Sequence, residues 1–181
     1  MRIDLIVLCV GMACIGFGYP PNNASIPMHE NILEVGRPLD VDSFFFGKLS
    51  VFDSKENVYQ KLGTPDSARI VDLDLGEDII TEWFYYKSYH ILFESTLNGD
   101  SDILIIYSND SAIAFGNGVP SVGSSVNLLR PYFNNLDFDK LILNGAGRIP
   151  FKSASQILDT WLVVEVGDGE IISISYDNTT F

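Results

Sequence analysis

Between residues 54 and 66 the chain runs Ser54-Lys-Glu-Asn-Val-Tyr-Gln-Lys-Leu-Gly-Thr-Pro-Asp66, a helical pattern that stops hard. Val58 and Leu62 lie four apart and Tyr59 and Leu62 three apart, which puts one narrow apolar stripe on a helix. Asp53 or Ser54 caps the first free amides, and Glu56 or Asn57 stands where a capping-box partner belongs. Lys61 suits the negative end of the helix dipole. Gly63 can turn left-handed and Pro65 forbids continuation. Such a helix is too short to stand alone, so a sheet must hold it.

The sheet follows. Runs rich in β-branched and aromatic residues are predicted as strands at 68–75, 79–86, 89–94 and 102–107, separated by the turns Leu75-Gly76-Glu77-Asp78 and Leu97-Asn98-Gly99-Asp100. Ile103, Ile105 and Tyr107 fall on one face of the last run and Leu104 and Ile106 on the other, a strand that is central or covered on both sides. The plan then repeats. Gly123, Ser124 and Ser125 start a second helix through Val126, Leu128, Leu129 and Phe133, with Pro131 an awkward guest. Strands are predicted at 140–144, 160–166 and 170–177. In the last of these Ile172, Ile174 and Tyr176 alternate with Ser173, Ser175 and Asp177, one face buried and one wet. The expected fold is α+β, two helix-plus-antiparallel-meander units packed in tandem at 41–110 and 111–181, after a polar link at 19–40.

Ahead of that link, residues 5–17 are almost wholly apolar and follow Met1-Arg2, too few to span a bilayer comfortably. They read as a signal peptide of residues 1–18, with Gly16 and Gly18 at the positions a peptidase needs. A degenerate lipobox at Gly11-Met12-Ala13-Cys14 is the competing reading, in which Cys14 carries lipid. Membrane contact is expected only through that signal peptide or that lipid. Cys9 and Cys14 are the only cysteines, so cleavage leaves no disulfide and no thiolate metal ligand. Localisation in the periplasm or cell envelope, or secretion, follows from the leader.

Composition narrows the partners. Of 181 residues 46% are hydrophobic and 12% aromatic, enough for a proper core, and the net charge is −13. So acidic a surface repels nucleic acid and anionic lipid and steers toward a basic protein. Catalytic patterns are missing. There is no Gly-x-Ser-x-Gly, and Gly118-Val-Pro-Ser121-Val-Gly123 has the wrong spacing. His29 sits in the link and His90 in a strand, where a sheet-facing ring outweighs a general base. Asp72, Asp74, Glu77 and Asp78 gather four carboxylates, but without EF-hand spacing, and read as a solvated turn rather than a Ca²⁺ site. Gly116-Asn117-Gly118 lacks the Lys of a phosphate loop. No cofactor and no metal are expected. Paired carboxylates for hydrolysis need only be close in space, so a carboxylate-dependent hydrolase outside the cytoplasm is the alternative function.

Trp83, Phe84, Tyr85, Tyr86 and Tyr89 lie within seven positions, so both faces of that hairpin are aromatic. One face fills the core; the other is covered or forms a contact surface. The run Phe44-Phe45-Phe46 faces the same choice.

The pattern Ser54…Val58…Leu62-Gly63-x-Pro65-Asp66, with Trp83-Phe84-Tyr85-Tyr86 on a following strand, resembles small outer-membrane lipoproteins of the SmpA/OmlA type. It is also similar to the tandem-repeat beta-lactamase inhibitory protein family, whose units share the helix-then-sheet plan. The likeness covers mainly residues 50–95, with a looser echo at 120–176. The chain departs from the lipoproteins in its lipobox and from the inhibitors in having no cysteine pair in its body. The resemblance implies a protein-binding role in envelope assembly or enzyme inhibition; small periplasmic immunity proteins use such folds too. The expectation is therefore an exported, non-enzymatic protein-binding module acting as an inhibitor, toxin-immunity protein or envelope assembly factor. Its candidate partner-binding residues are Trp83, Tyr85, Asp72, Asp74, Glu77 and Asp78.

Overall fold

The computed structural model describes residues 33–34, 37–71, 78–154 and 156–179. The leader with both cysteines, His29, and the turn acids Asp72, Asp74 and Glu77 lie outside the described residues. Among the described residues eleven strands, two α-helices and three 3-10 segments follow one another. In chain order the strands are β1 (Leu33–Glu34), β2 (Leu39–Asp40), β3 (Phe45–Phe46), β4 (Leu49–Ser50), β5 (Ser67–Val71), β6 (Ile79–Tyr85), β7 (His90–Thr96), β8 (Ser101–Ser108), β9 (Ala146–Ser153), β10 (Gln156–Gly167) and β11 (Glu170–Asp177). The helices are α1 (Lys55–Leu62) and α2 (Asn135–Asn144).

Nine strands form one sheet in the order β1-β9-β10-β11-β8-β7-β6-β5, with β2 also on β9. All neighbours are antiparallel except β1 and β2, which run parallel to β9. This corrects the expected pair of helix-plus-meander units in tandem. The last strand of the first run, β8, pairs with the last strand of the second, β11, in the register Ile105↔Asp177 to Ser108↔Ile174. Strand edges that separate units would leave exposed are thereby hydrogen-bonded to each other. The fold is sheet-dominated, with short helical pieces laid on a single large sheet.

Local chemistry explains α1. Ser54 Oγ accepts from the Asn57 amide, Glu56 stands in the first turn and Lys61 in the last. Gly63 ends it at φ 83°, where a side chain would be strained. Only Val58 is fully buried, so tertiary contacts hold the helix. Buried Asp53 supplies one: its carboxylate accepts from the Ser50 amide at 2.8 Å and from Lys61 Nζ at 2.7 Å. Lys55 pairs with Glu82 on β6 and lies over the Phe84 ring.

The second half departs further from expectation. Residues 140–144, expected as a strand, are the end of α2, and β9 was not foreseen. Asn134 accepts from the Asp137 amide as N-cap, and Gly145 closes the helix at φ 74°, ψ −1°. The segment Val126–Tyr132 is a 3-10 helix rather than an α-helix, with Pro131 inside it and Phe133 beyond its end. In β11 a bulge at Ile172, opposite Glu165 and Val166 of β10, shifts the alternation, so Ile171, Ile174 and Tyr176 are buried while Ile172 is 51% exposed. A second bulge, at Leu104, carries β8 from one facing to the other: Ile103 and Ile106 enter the main core, Leu104 and Ile105 the opposite face.

The core lies between the sheet and the helical pieces. Val58 of α1, Phe138 and Leu141 of α2, and Val126 and Leu129 join Phe84, Ile91, Phe93, Ile106, Phe151, Leu162 and Ile174. Phe44, Phe46, Phe115 and Phe151 meet edge-on at 5.0–5.4 Å. Of the Phe44-Phe45-Phe46 run, the outer two are buried and Phe45 is not.

Two stability outcomes follow. Ile106→Ala, in the strand that joins the halves, is expected to cost about 2–5 kcal/mol. Denaturant unfolding should still be one transition, superimposable by far-UV and near-UV circular dichroism; two separated transitions would contradict the single sheet. A Cβ on Gly116 would meet Phe45 N at 2.8 Å and Phe44 Cα and Ser43 O at 2.9 Å, all in the neighbouring segment. Gly116→Ala should therefore destabilise by about 1–3 kcal/mol in the same assay, whereas Gly99→Ala, which meets no neighbour, acts only through its backbone.

Candidate functional site

The buried apolar residues of the described helical pieces, Val58, Val126, Leu129, Phe138 and Leu141 among them, join one core on one face of the sheet, and the other face is where candidate chemistry collects. Residues paired across antiparallel strands share a face. One cross-sheet row therefore runs Tyr85, His90, Tyr107, Ser175, Val163, Arg148, and the next runs Trp83, Leu92, Ile105, Asp177, Trp161, Pro150. Trp83, Tyr85, His90, Tyr107 and Trp161 are all half-buried, and no described helix lies over them. Leu92, Leu104 and Ile105 form a small buried cluster under Trp83 and Val71.

The rings contact one another in sequence. Trp83 and Tyr85 stack at 6.2 Å and 26°, Tyr85 meets His90 edge-on at 5.1 Å, and His90 stacks on Tyr107 at 5.5 Å and 25°. Two strands beyond, Arg148 covers the Trp161 ring at 5.9 Å. Carboxylates border the rings. Glu94 and Asp102 stand directly opposite each other across β7 and β8, and Ser173 Oγ donates to Glu165 Oε2 at 2.5 Å.

Burial sets the ionisation here. It lowers the His90 imidazole below its ordinary value by penalising the charged form. It raises the Tyr107 phenol, and the negative charge of Glu165 adds to the rise. Burial thus favours the neutral form of both rings.

The expected site residues divide. Trp83 and Tyr85 stand side by side on this face, while Phe84, Tyr86 and Tyr89 of the same aromatic run are buried in the core. Asp78 is an exposed turn residue just before β6. Asp72, Asp74 and Glu77 fall outside the described residues. The sequence reading missed Tyr107, Trp161, Arg148, Glu94 and Asp102 as members of the face. The alternating spacings Trp83-x-Tyr85, His90-x-Leu92-x-Glu94 and Trp161-x-Val163-x-Glu165 carry the signal, once the strand order is known.

A separate open cleft of about 380 Å³ is lined by Arg37, Pro38, Leu39, Asp40, Asn117, Pro131, Tyr132 and Lys152. Asp40, Tyr132 and Lys152 are its titratable lining residues besides Arg37. Among the described residues no three His, Cys, Asp or Glu side chains converge to hold a metal ion, and no helix is long and apolar enough to cross a membrane. Compared with known proteins, the chain matches no family model, no curated protein and no solved structure.

His90 gives this face a measurable signature. Because its folded pKa lies below the unfolded 6.5, the folded state binds fewer protons in that window. The stabilising contribution is whole above pH 6.5 and declines as pH falls toward the folded midpoint. An NMR titration should place the His90 midpoint below 6.5. The decline in stability over that window should be shallower in His90→Asn; a midpoint at or above 6.5 contradicts the assignment.

Proposed function

We propose that this chain is an exported protein-binding module whose contact surface is the sheet face opposite the described helices, and that it serves as an inhibitor, toxin-immunity protein or envelope assembly factor. The observation that carries the reading is the unbroken series of half-buried rings Trp83, Tyr85, His90 and Tyr107 across three adjacent strands. Large rings on a rigid scaffold offer contact area at little entropic cost, and Trp and Tyr are enriched where binding energy concentrates. A sheet face also suits a flat partner surface better than an enclosed small molecule. Export rests on the apolar leader at 5–17.

The test is capture by the full chain from native cell and culture extracts, repeated with Tyr107→Ala and with Trp83→Leu. Each substitution should reduce recovery of a specifically retained protein by about tenfold, the effect of losing roughly 1.4 kcal/mol at a hot spot. Melting temperatures must first show that both variants fold. Undiminished capture by both folded variants would move the contact surface elsewhere.

A further inference from the structure

We propose that the Trp83 end of this face receives a lysine or arginine side chain of a basic protein segment, its stem lying over Trp83 and its charged head pairing with Glu94 and Asp102. This rests on the protein-binding reading and specifies the partner's chemistry.

The face itself shows how such a ring is satisfied. Trp161 and Trp83 belong to one cross-sheet row, and Trp161 carries Arg148 over its ring at 5.9 Å. Among the described residues no cation lies over Trp83. Arg69 is its register partner on β5, but it is exposed and stays off the ring. The two other described cation–ring contacts, Lys55 on Phe84 and Arg130 on Phe138, involve phenylalanines of the main core. The first half of the face thus has rings without cations.

It also has carboxylates without cations. Glu94 and Asp102 oppose each other in register, an arrangement that destabilises a strand pair through like-charge repulsion. The ion pairs among the described residues are Lys55–Glu82, Lys61–Asp53 and Lys140–Asp137, and none includes either residue. Thr81 shares their row and stands two residues from Trp83 along β6, a step of about 7 Å. One lysine or arginine side chain can bridge that step, with its stem along the indole and its head at the carboxylates. Asp177, in the Trp83 row, adds a further negative charge. A neutral glycan would stack on the rings but leave the opposed carboxylates unrelieved. Nucleic acid and anionic lipid are repelled by a net charge of −13.

The probe is a blocked hexa-arginine peptide, titrated into the labelled full chain and followed by NMR. Three variants are compared with the unaltered protein: Glu94→Gln/Asp102→Asn, Trp83→Leu, and the control Glu56→Gln/Asp139→Asn, which removes two exposed charges from the helices. The first should bind about tenfold more weakly and Trp83→Leu about fivefold, while the control should change by less than about twofold. Glu94→Gln/Asp102→Asn should also melt no lower than the unaltered protein, since it relieves repulsion. Equal weakening in the two double variants would mean that the peptide reads net charge alone. That result overturns this proposal and leaves the protein-binding reading standing. If chitohexaose perturbs the Trp83 and Tyr107 signals and the peptide does not, both readings fall.

Discussion

The pairing of β8 with β11 is the contact on which the rest of the structure depends. Each strand closes an antiparallel run of its own, β5 to β8 on one side and β9 to β11 on the other. Left apart, each would present a free row of amides and carbonyls in the middle of the molecule. Joined through Ile105–Ser108 and Ile174–Asp177, they make the two runs one surface. Ile106 and Ile174 from these strands are fully buried beneath the helical pieces, so the seam is also a centre of the core. Backbone pairing and apolar burial reinforce each other at the same residues.

That seam decides which face is available for work. With α1, α2 and the 3-10 segments committed to one side, the opposite side carries unbroken rows of side chains from β6 to β9. Tyr107 on β8 and Ser175 on β11 are neighbours only because the seam exists. The bulge at Leu104 matters for the same reason. It lets β8 send Ile103 and Ile106 into the main core while Ile105 and Tyr107 face outward. A regular strand cannot do this, since period-two alternation would place Ile103 with Ile105. The aromatic face and the packed core therefore depend on one irregularity.

How much of this was legible in sequence depended on how local the signal was. The cap, stripe and stop of α1 lie within thirteen residues, and each reads from side-chain chemistry alone. Trp83 and Tyr85 were legible as facing together because strand alternation is also local. Strand order was not. Whether β8 pairs with β11 depends on residues some seventy positions apart, and nothing in either strand announces its partner. The end of α2 was misread because Lys140 to Asn144 is a short apolar run, which periodicity does not separate from a strand. The cap at Asn134, ahead of Asp137, was the stronger clue, and Pro131 drew attention away from it. Bulges were equally silent: Ile172 fits the alternation of β11 but is itself the extra residue of a bulge, left unpaired between Ile171 and Ser173.

The acidity of the chain takes on a sharper meaning against this geometry. A net charge of −13 spread over a surface speeds encounter with a basic partner from any direction, but it cannot hold that partner in one pose. Orientation needs short-range features that are fixed relative to one another. Trp83, Tyr85, His90 and Tyr107 are fixed by ring contacts and by a sheet in which every neighbour is hydrogen-bonded. Lowered imidazole basicity keeps His90 neutral within that series, so it does not repel an arriving cation near neutral pH. On the proposed reading, diffuse charge governs the rate of approach, and the aromatic rows with Glu94 and Asp102 govern how long a partner stays. The two tasks reside in different residues, and the sheet is what lets them coexist on one face.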